Sequence, residues 1–162
     1  MRNFNVLFLC TGNSARSIMA EAIMNRRGAP NFTAFSAGSQ PAGVVRPEAL
    51  KMIQSAGLGT EGLRSKSWEE FSKPGSFHLD FVFTVCDNAA KETCPIWPGQ
   101  PMSAHWGVPD PVLLAPGTPE SARAFSQAFQ ILERRISLFL CLPWEGISKI
   151  ALQREIEDIG KR

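Results

Sequence analysis

An apolar run that stops at a cysteine, a short polar loop and the start of a helix constrain this chain more than any other feature. The stretch is Leu7-Phe8-Leu9-Cys10-Thr11-Gly12-Asn13-Ser14-Ala15-Arg16-Ser17. It reads as strand, tight loop, helix N-terminus. Backbone N–H groups at a helix start, with the helix dipole behind them, form a cradle for an anion. Gly12 lets the chain turn without a Cβ clash, and Asn13 tolerates the left-handed region. Successive N–H groups can then point inward, as a nest from Thr11 to Ser17. Arg16 adds a planar fork of donors suited to two oxygens of a tetrahedral oxyanion. Cys10 lies at the bottom of this bowl, where positive surroundings lower a thiol pKa from ~8.5 to ~4–7. The expectation is a Cys10 thiolate, with Ser17 donating to it. The plainer alternative is a buried cysteine closing a strand beside a solvated arginine.

The rest of the chain alternates strand and helix patterns. A helix is expected over 17–27, ended by Gly28-Ala29-Pro30, then a strand over 32–38. A second helix is expected over 46–56, with Pro47 in its first turn and Gly57 at its C-terminal end. The segment 63–75 is irregular, with a short helix from Ser67. A buried strand over 79–85, a long loop over 86–99 and a strand over 100–105 follow. Thr118-Pro119-Glu120 opens the longest helix, whose inward positions are Ala122, Phe125, Phe129, Leu132, Ile136 and Phe139. Pro143 ends it. A last helix starts at Ser148, with Ile147 and Leu152 as a hydrophobic staple and Ile156 and Ile159 on its inner face.

Such alternation implies an α/β fold with a parallel sheet covered on both faces. Ligands bind such sheets beyond the carboxyl ends of the strands. Cys10, Cys86 and Asp110 each fall at or just after a strand end, so three residues distant in sequence converge on one rim.

Composition limits the partners. The chain has 162 residues, 17 basic against 15 acidic, enough for one domain with a real core and no general basic field. No nucleic acid or membrane partner is expected, and no apolar run spans a bilayer. Cytoplasmic residence is expected from the start of the chain, which runs directly into a strand. Four cysteines, Cys10, Cys86, Cys94 and Cys141, are too few for a secreted disulfide scaffold. His78 and His105 complete no zinc set with them, so no metal site is expected. Cys86 and Cys94 are then either packing residues or a disulfide relay, Cys94 lying on a proline- and glycine-punctuated segment able to move. Cys94 is expected to need such movement to meet the geometry of a disulfide. Cys141, late on an amphipathic helix, reads as a core thiol. His105 reads as a satisfied structural histidine, and Trp97 and Trp106 as core residues or the lining of a mouth.

The form Cys-Thr-Gly-Asn-Ser-x-Arg-Ser resembles the phosphate-binding loop of the low-molecular-weight tyrosine phosphatase superfamily. It looks most like the arsenate reductase branch, where x is often a further cysteine; here it is Ala15. The resemblance runs over roughly residues 4–141. It implies a three-layer sandwich with a four-stranded parallel sheet in the order 2-1-3-4. One domain over 1–162 is expected, with the C-terminal helix, about 147–160, as an addition to the compact form. The resemblance also implies that Asp110, stiffened by Pro111, is a general acid, and that Cys86 and Cys94 are the thiol pair carried after the third strand. Phosphatases of the superfamily generally lack that pair and carry aromatics, often tyrosines, near the acid; this chain has no tyrosine. Some relatives hold a potassium ion through residues resembling Asn13, Glu21 and Ser36.

The resemblance therefore implies arsenate reduction. Cys10 attacks arsenic, the loop residues Thr11, Gly12, Asn13, Ser14, Ala15, Arg16 and Ser17 hold the oxygens, and Asp110 protonates the departing one. Cys86 then displaces arsenite as a Cys10–Cys86 disulfide, and Cys94 moves the disulfide to Cys86–Cys94. No bound cofactor is expected; thioredoxin, or glutaredoxin with glutathione, would return the electrons. A phosphotyrosine phosphatase using Cys10, Arg16 and Asp110 on a phosphate ester is the first alternative. A non-enzymatic redox or oxyanion sensor is the second.

Overall fold

The computed structural model describes residues 3–73, 75–76, 78–92 and 94–162. Pro74, within the irregular 63–75 segment, and Thr93, within the loop expected over 86–99, lie outside the described residues. The strands are β1 (Phe4–Leu9), β2 (Phe32–Ala37), β3 (Phe81–Thr84) and β4 (Met102–His105). The helices are α1 (Arg16–Arg27), α2 (Pro47–Ser55), α3 (Asp87–Lys91), α4 (Pro119–Leu140) and α5 (Lys149–Ile159). Two 3-10 turns, Trp68–Phe71 and Pro111–Leu113, complete the order.

All pairings are parallel, in the order β2-β1-β3-β4, as the resemblance implied. Leu9 is in register with Ala37 on one side and Thr84 on the other, so three strands end at one level. The loops after β1 and β3 therefore open onto the same rim.

Side chains alternate across the strands. Val6, Phe8, Phe81 and Phe83 join the larger core with α1, α2, α4 and α5, while Leu7, Leu9 and Val82 face the other way. That second face is thinly covered, by Phe71 and Trp68 of the first 3-10 turn and by Trp97. On α4, Phe125, Phe129, Leu132, Ile136 and Phe139 are buried as the spacing predicts. Ala122 is exposed and Ser121 takes its place, because Phe125 lies four positions on from Ser121 and in line with it along the helix. Thr118 caps α4 by accepting from Ser121 N–H at 3.1 Å, and Ser148 caps α5 through Ala151 N–H at 3.2 Å. Gly57 follows α2 with φ +75°, the left-handed stop expected of it.

Two further local readings are corrected. The segment expected as a loop from Cys86 opens with α3. Its Asp-Asn-Ala-Ala-Lys run has an acid at the start and a base at the end, matched to the helix dipole. Cys141 is exposed at the C-terminal cap of α4, just past the helix end and two positions on from the buried Phe139, off the inward stripe. No helix among the described residues is long and apolar enough to cross a membrane.

Candidate active site

The loop from Cys10 to Arg16 is shaped from behind. Its carbonyls are taken by the segment after β2: Gln40 N–H donates to Thr11 O at 3.0 Å, Ala42 to Gly12 O at 2.9 Å and Arg46 to Ser14 O at 2.9 Å. With the carbonyls turned outward, the amide side faces the rim. Asn13 adopts φ +47°, as the turn requires, and is fully buried. Its side chain ties the loop down, donating to Ser17 Oγ at 2.8 Å and accepting from Lys66 N–H at 2.9 Å. Ser17 is thus engaged by the loop's own asparagine. Gly38 lies so close beneath that a Cβ there would fall on the carbonyl oxygens of Cys10 and Thr11. The helix starts at Arg16, one residue earlier than expected, and Ala15 at its N-cap has no side chain to close its first turn.

A cavity of about 150 Å³ fills this bowl, lined by Cys10, Thr11, Gly12, Ser14, Ala15, Arg16, Cys86, Asn88, Asp110 and Val112. A wider cleft of about 480 Å³ adjoins it, lined in part by Asp87, Pro109 and Leu113. Arg16 reaches across the mouth: Nη1 donates to Val108 O at 2.8 Å and Nη2 lies 3.4 Å from Asp110 Oδ2. Asp110 caps its own 3-10 turn, accepting from Val112 N–H at 3.0 Å. Cys10, Arg16, Cys86 and Asp110 therefore meet at one cavity.

Cys86 is 3% exposed and sits at the N-cap of α3. Its sulfur accepts from Thr11 N–H at 3.3 Å and Ala89 N–H at 3.4 Å. Its interaction with Cys10 first, with burial, pushes the Cys10 pKa up against the lowering pull of Arg16 and Gly12 N–H. The same interaction, joined against burial by the Ala89 amide, the Thr11 hydroxyl and the Thr11 amide, lowers Cys86 to about 5. The direction for Cys10 is thus opposite to the one expected: its neighbour Cys86 and burial raise it, while Cys10 and the amides around Cys86 pull that second thiol down. The sequence could not show this, because α3, which brings the Ala89 amide, was not legible in it.

Cys94 is exposed and does not line the bowl. Its thiol lies 3.8 Å from Glu92 O, and it faces a cavity of about 420 Å³ on the β3–β4 side with Trp97 and His105. Burial and the Glu92 charge push its pKa up. His105 is satisfied as expected, by Thr84 Oγ1 and Asp87 Oδ1, each at 2.8 Å. Trp106 is buried with its N–H on Ile156 O. Glu92 is a site residue that the sequence reading missed: it accepts from Thr11 Oγ1 at 3.0 Å.

The residues resembling a potassium site are already spent. Ser36 Oγ donates to Glu21 Oε1 at 2.5 Å, Asn13 is engaged as above, and Lys66 Nζ stands 3.7 Å from Glu21 Oε1. Burial pushes Glu21 up and Lys66 down, each opposed by the other's charge. The cation in this pocket is the chain's own lysine, so a potassium ion does not fit. Among the described residues no group of three or more His, Cys, Asp or Glu could hold a metal.

The family model described as low molecular weight phosphotyrosine protein phosphatase matches residues 5–155. An arsenate reductase of Bacillus licheniformis is 36% identical over 128 residues, 78% of this chain and 87% of the relative. A solved arsenate reductase in the phosphate binding state superposes with TM-score 0.64 at 26% identity, covering 83% of this chain and 97% of the other. One in an oxidized state gives TM-score 0.62, also at 26% identity, over 82% and 96%.

Proposed function

The chain belongs to the low molecular weight phosphotyrosine protein phosphatase family, and from that premise we propose that it reduces arsenate to arsenite. The observation that carries the proposal is the second thiol in the bowl: Cys86 lines the same anion cavity as Cys10. Hydrolysis of a phosphate ester leaves such a thiol without work, whereas a two-electron reduction needs it. The relatives of known structure in phosphate-bound and oxidized states support oxyanion binding and thiol chemistry.

In the proposed reaction arsenate enters the loop, held by backbone N–H groups and Arg16. Cys10 Sγ attacks arsenic, and its proton passes to the neighbouring Cys86 Sγ, so no free Cys10 thiolate is required. Asp110 gives a proton to the departing oxygen, which leaves as water. Cys86 Sγ then attacks Cys10 Sγ. The S–As bond breaks with its electron pair moving to arsenic, a Cys10–Cys86 disulfide forms, and the Cys86 proton leaves with arsenite. Cys94 attacks Cys86 after its segment moves, frees Cys10 and presents Cys86–Cys94 to an external dithiol. Thioredoxin is the proposed donor, with glutaredoxin and glutathione as the other candidate.

The test is NADPH-coupled arsenate turnover with thioredoxin and its reductase, run beside glutaredoxin plus glutathione. Turnover with either supports the reading and identifies the donor. No arsenate-dependent NADPH oxidation with both, alongside rapid hydrolysis of p-nitrophenyl phosphate, would overturn it in favour of the phosphatase. That second reading has its own support in Cys10, Arg16 and Asp110 meeting at one cavity.

A further inference from the structure

A hydroxyl carries one proton, and at Thr11 two acceptors compete for it. Thr11 Oγ1 lies 3.0 Å from Glu92 Oε1, to which it donates, and 3.6 Å from Cys86 Sγ. A carboxylate oxygen can only accept, and a thiolate likewise, so Glu92 and Cys86 compete for the one hydroxyl proton, with Glu92 at the shorter distance. The two backbone donors on Cys86, Thr11 N–H and Ala89 N–H, are unaffected. Glu92 reaches this position because α3 ends at Lys91 and the chain turns back toward the loop.

We propose that Glu92 is a positioning residue for the relay thiol: by competing for the Thr11 hydroxyl proton, it weakens a further donor on Cys86 and keeps that sulfur able to accept the Cys10 proton and then attack. The inference rests on the relay reading of Cys86 above. A thiolate given another donor is more stable, a weaker base and a weaker nucleophile, since nucleophilicity falls with pKa along a Brønsted slope of ~0.4–0.5. Other charged and titratable groups around Cys86 are Cys10 at the end of β1, Arg16 on α1, Asp110 across the cavity and Asp87 on its own helix. None of these bonds the Thr11 hydroxyl among the described residues.

The test reads the thiol itself, so its failure is distinct from failure of arsenate turnover. In protein labelled with 13Cβ cysteine, the Cys86 resonance is assigned by its loss in Cys86→Ser. It is then titrated in wild type, Glu92→Ala, Glu92→Gln, Thr11→Val and the Glu92→Ala/Thr11→Val double variant. Glu92→Ala should lower the Cys86 midpoint by about one unit, because the freed hydroxyl turns its proton to the sulfur. Thr11→Val should raise the midpoint clearly more in the Glu92→Ala background than in the wild type. Glu92→Gln, whose amide oxygen still accepts from Thr11, should stay nearer the wild type than Glu92→Ala does. In a single turnover at neutral pH, Glu92→Ala should slow formation of the Cys10–Cys86 disulfide about 3-fold. A Thr11→Val effect of equal size and sign in both backgrounds would overturn the proposal, leaving Glu92 to act through charge alone. So would a Cys86 midpoint that does not move in Glu92→Ala.

Discussion

Arg16 is gripped by Val108 O and by the Asp110 carboxylate, and both bonds depend on a guanidinium with several donors in one plane. Lysine keeps the charge and loses the fork. Arg16→Lys is therefore expected to lower kcat/KM for arsenate on the order of 10²-fold, by analogy with loss of an oxyanion donor. Steady-state kinetics in the coupled assay check this, and near wild-type values would mean that Arg16 serves Asp110 alone. Gly38 acts at the same scale from below the loop. Gly38→Ala sets a methyl against the Cys10 and Thr11 carbonyls, so the loop must shift. A loss of activity with the fold intact by circular dichroism is expected. For Cys86 the pH sign follows from its lowered folded pKa of about 5. The unfolded chain binds more protons between that value and the ordinary thiol range, so this group's stabilisation grows as pH rises through the interval and is lost as pH falls through about 5. The stability difference between wild type and Cys86→Ser, from urea titrations at pH 5 and pH 8, should be larger at pH 8.

At the scale of elements, α4 anchors the core. Phe139 meets Phe32, Phe81, Phe83, Trp106 and Trp144, with ring centroids 4.9–5.8 Å away. Removing it leaves a cavity among rings that cannot collapse, so Phe139→Ala should cost about 3–5 kcal/mol in chemical denaturation. The long elements were legible in the sequence because their signals are redundant: α4 carries a cap, a first-turn proline and an apolar stripe. The short ones were not. In α3 five residues give too little periodicity to read, and its cap is a cysteine, a residue seldom read as one. What followed from missing α3 was also missed: the Ala89 donor on Cys86 and the approach of Glu92 to Thr11. Lys66 was invisible for a different reason. It meets Asn13 and Glu21 from a distant, irregular segment, through a backbone bond and a buried ion pair that no local pattern encodes.

At the scale of the whole molecule, α5 closes the end of the larger core. Leu152, Ile156 and Ile159 are buried, and Trp106 needs Ile156 O for its indole N–H. Gly160 packs so closely on His105 O that a side chain would not fit. Truncation after Pro143 should cost on the order of 5 kcal/mol from lost apolar burial and shift tryptophan emission to the red as Trp106 meets water. The rim that this scaffold holds together brings Cys10 and Cys86 into one cavity and leaves Cys94 at another. The central claim is that electrons pass through all three thiols. The most direct measurement is thiol-trapping mass spectrometry of protein exposed to arsenate without reductant. Cys86–Cys94 should be linked in the wild type and Cys10–Cys86 in Cys94→Ser. Wild-type protein whose thiols all stay free after arsenite has formed would contradict the account.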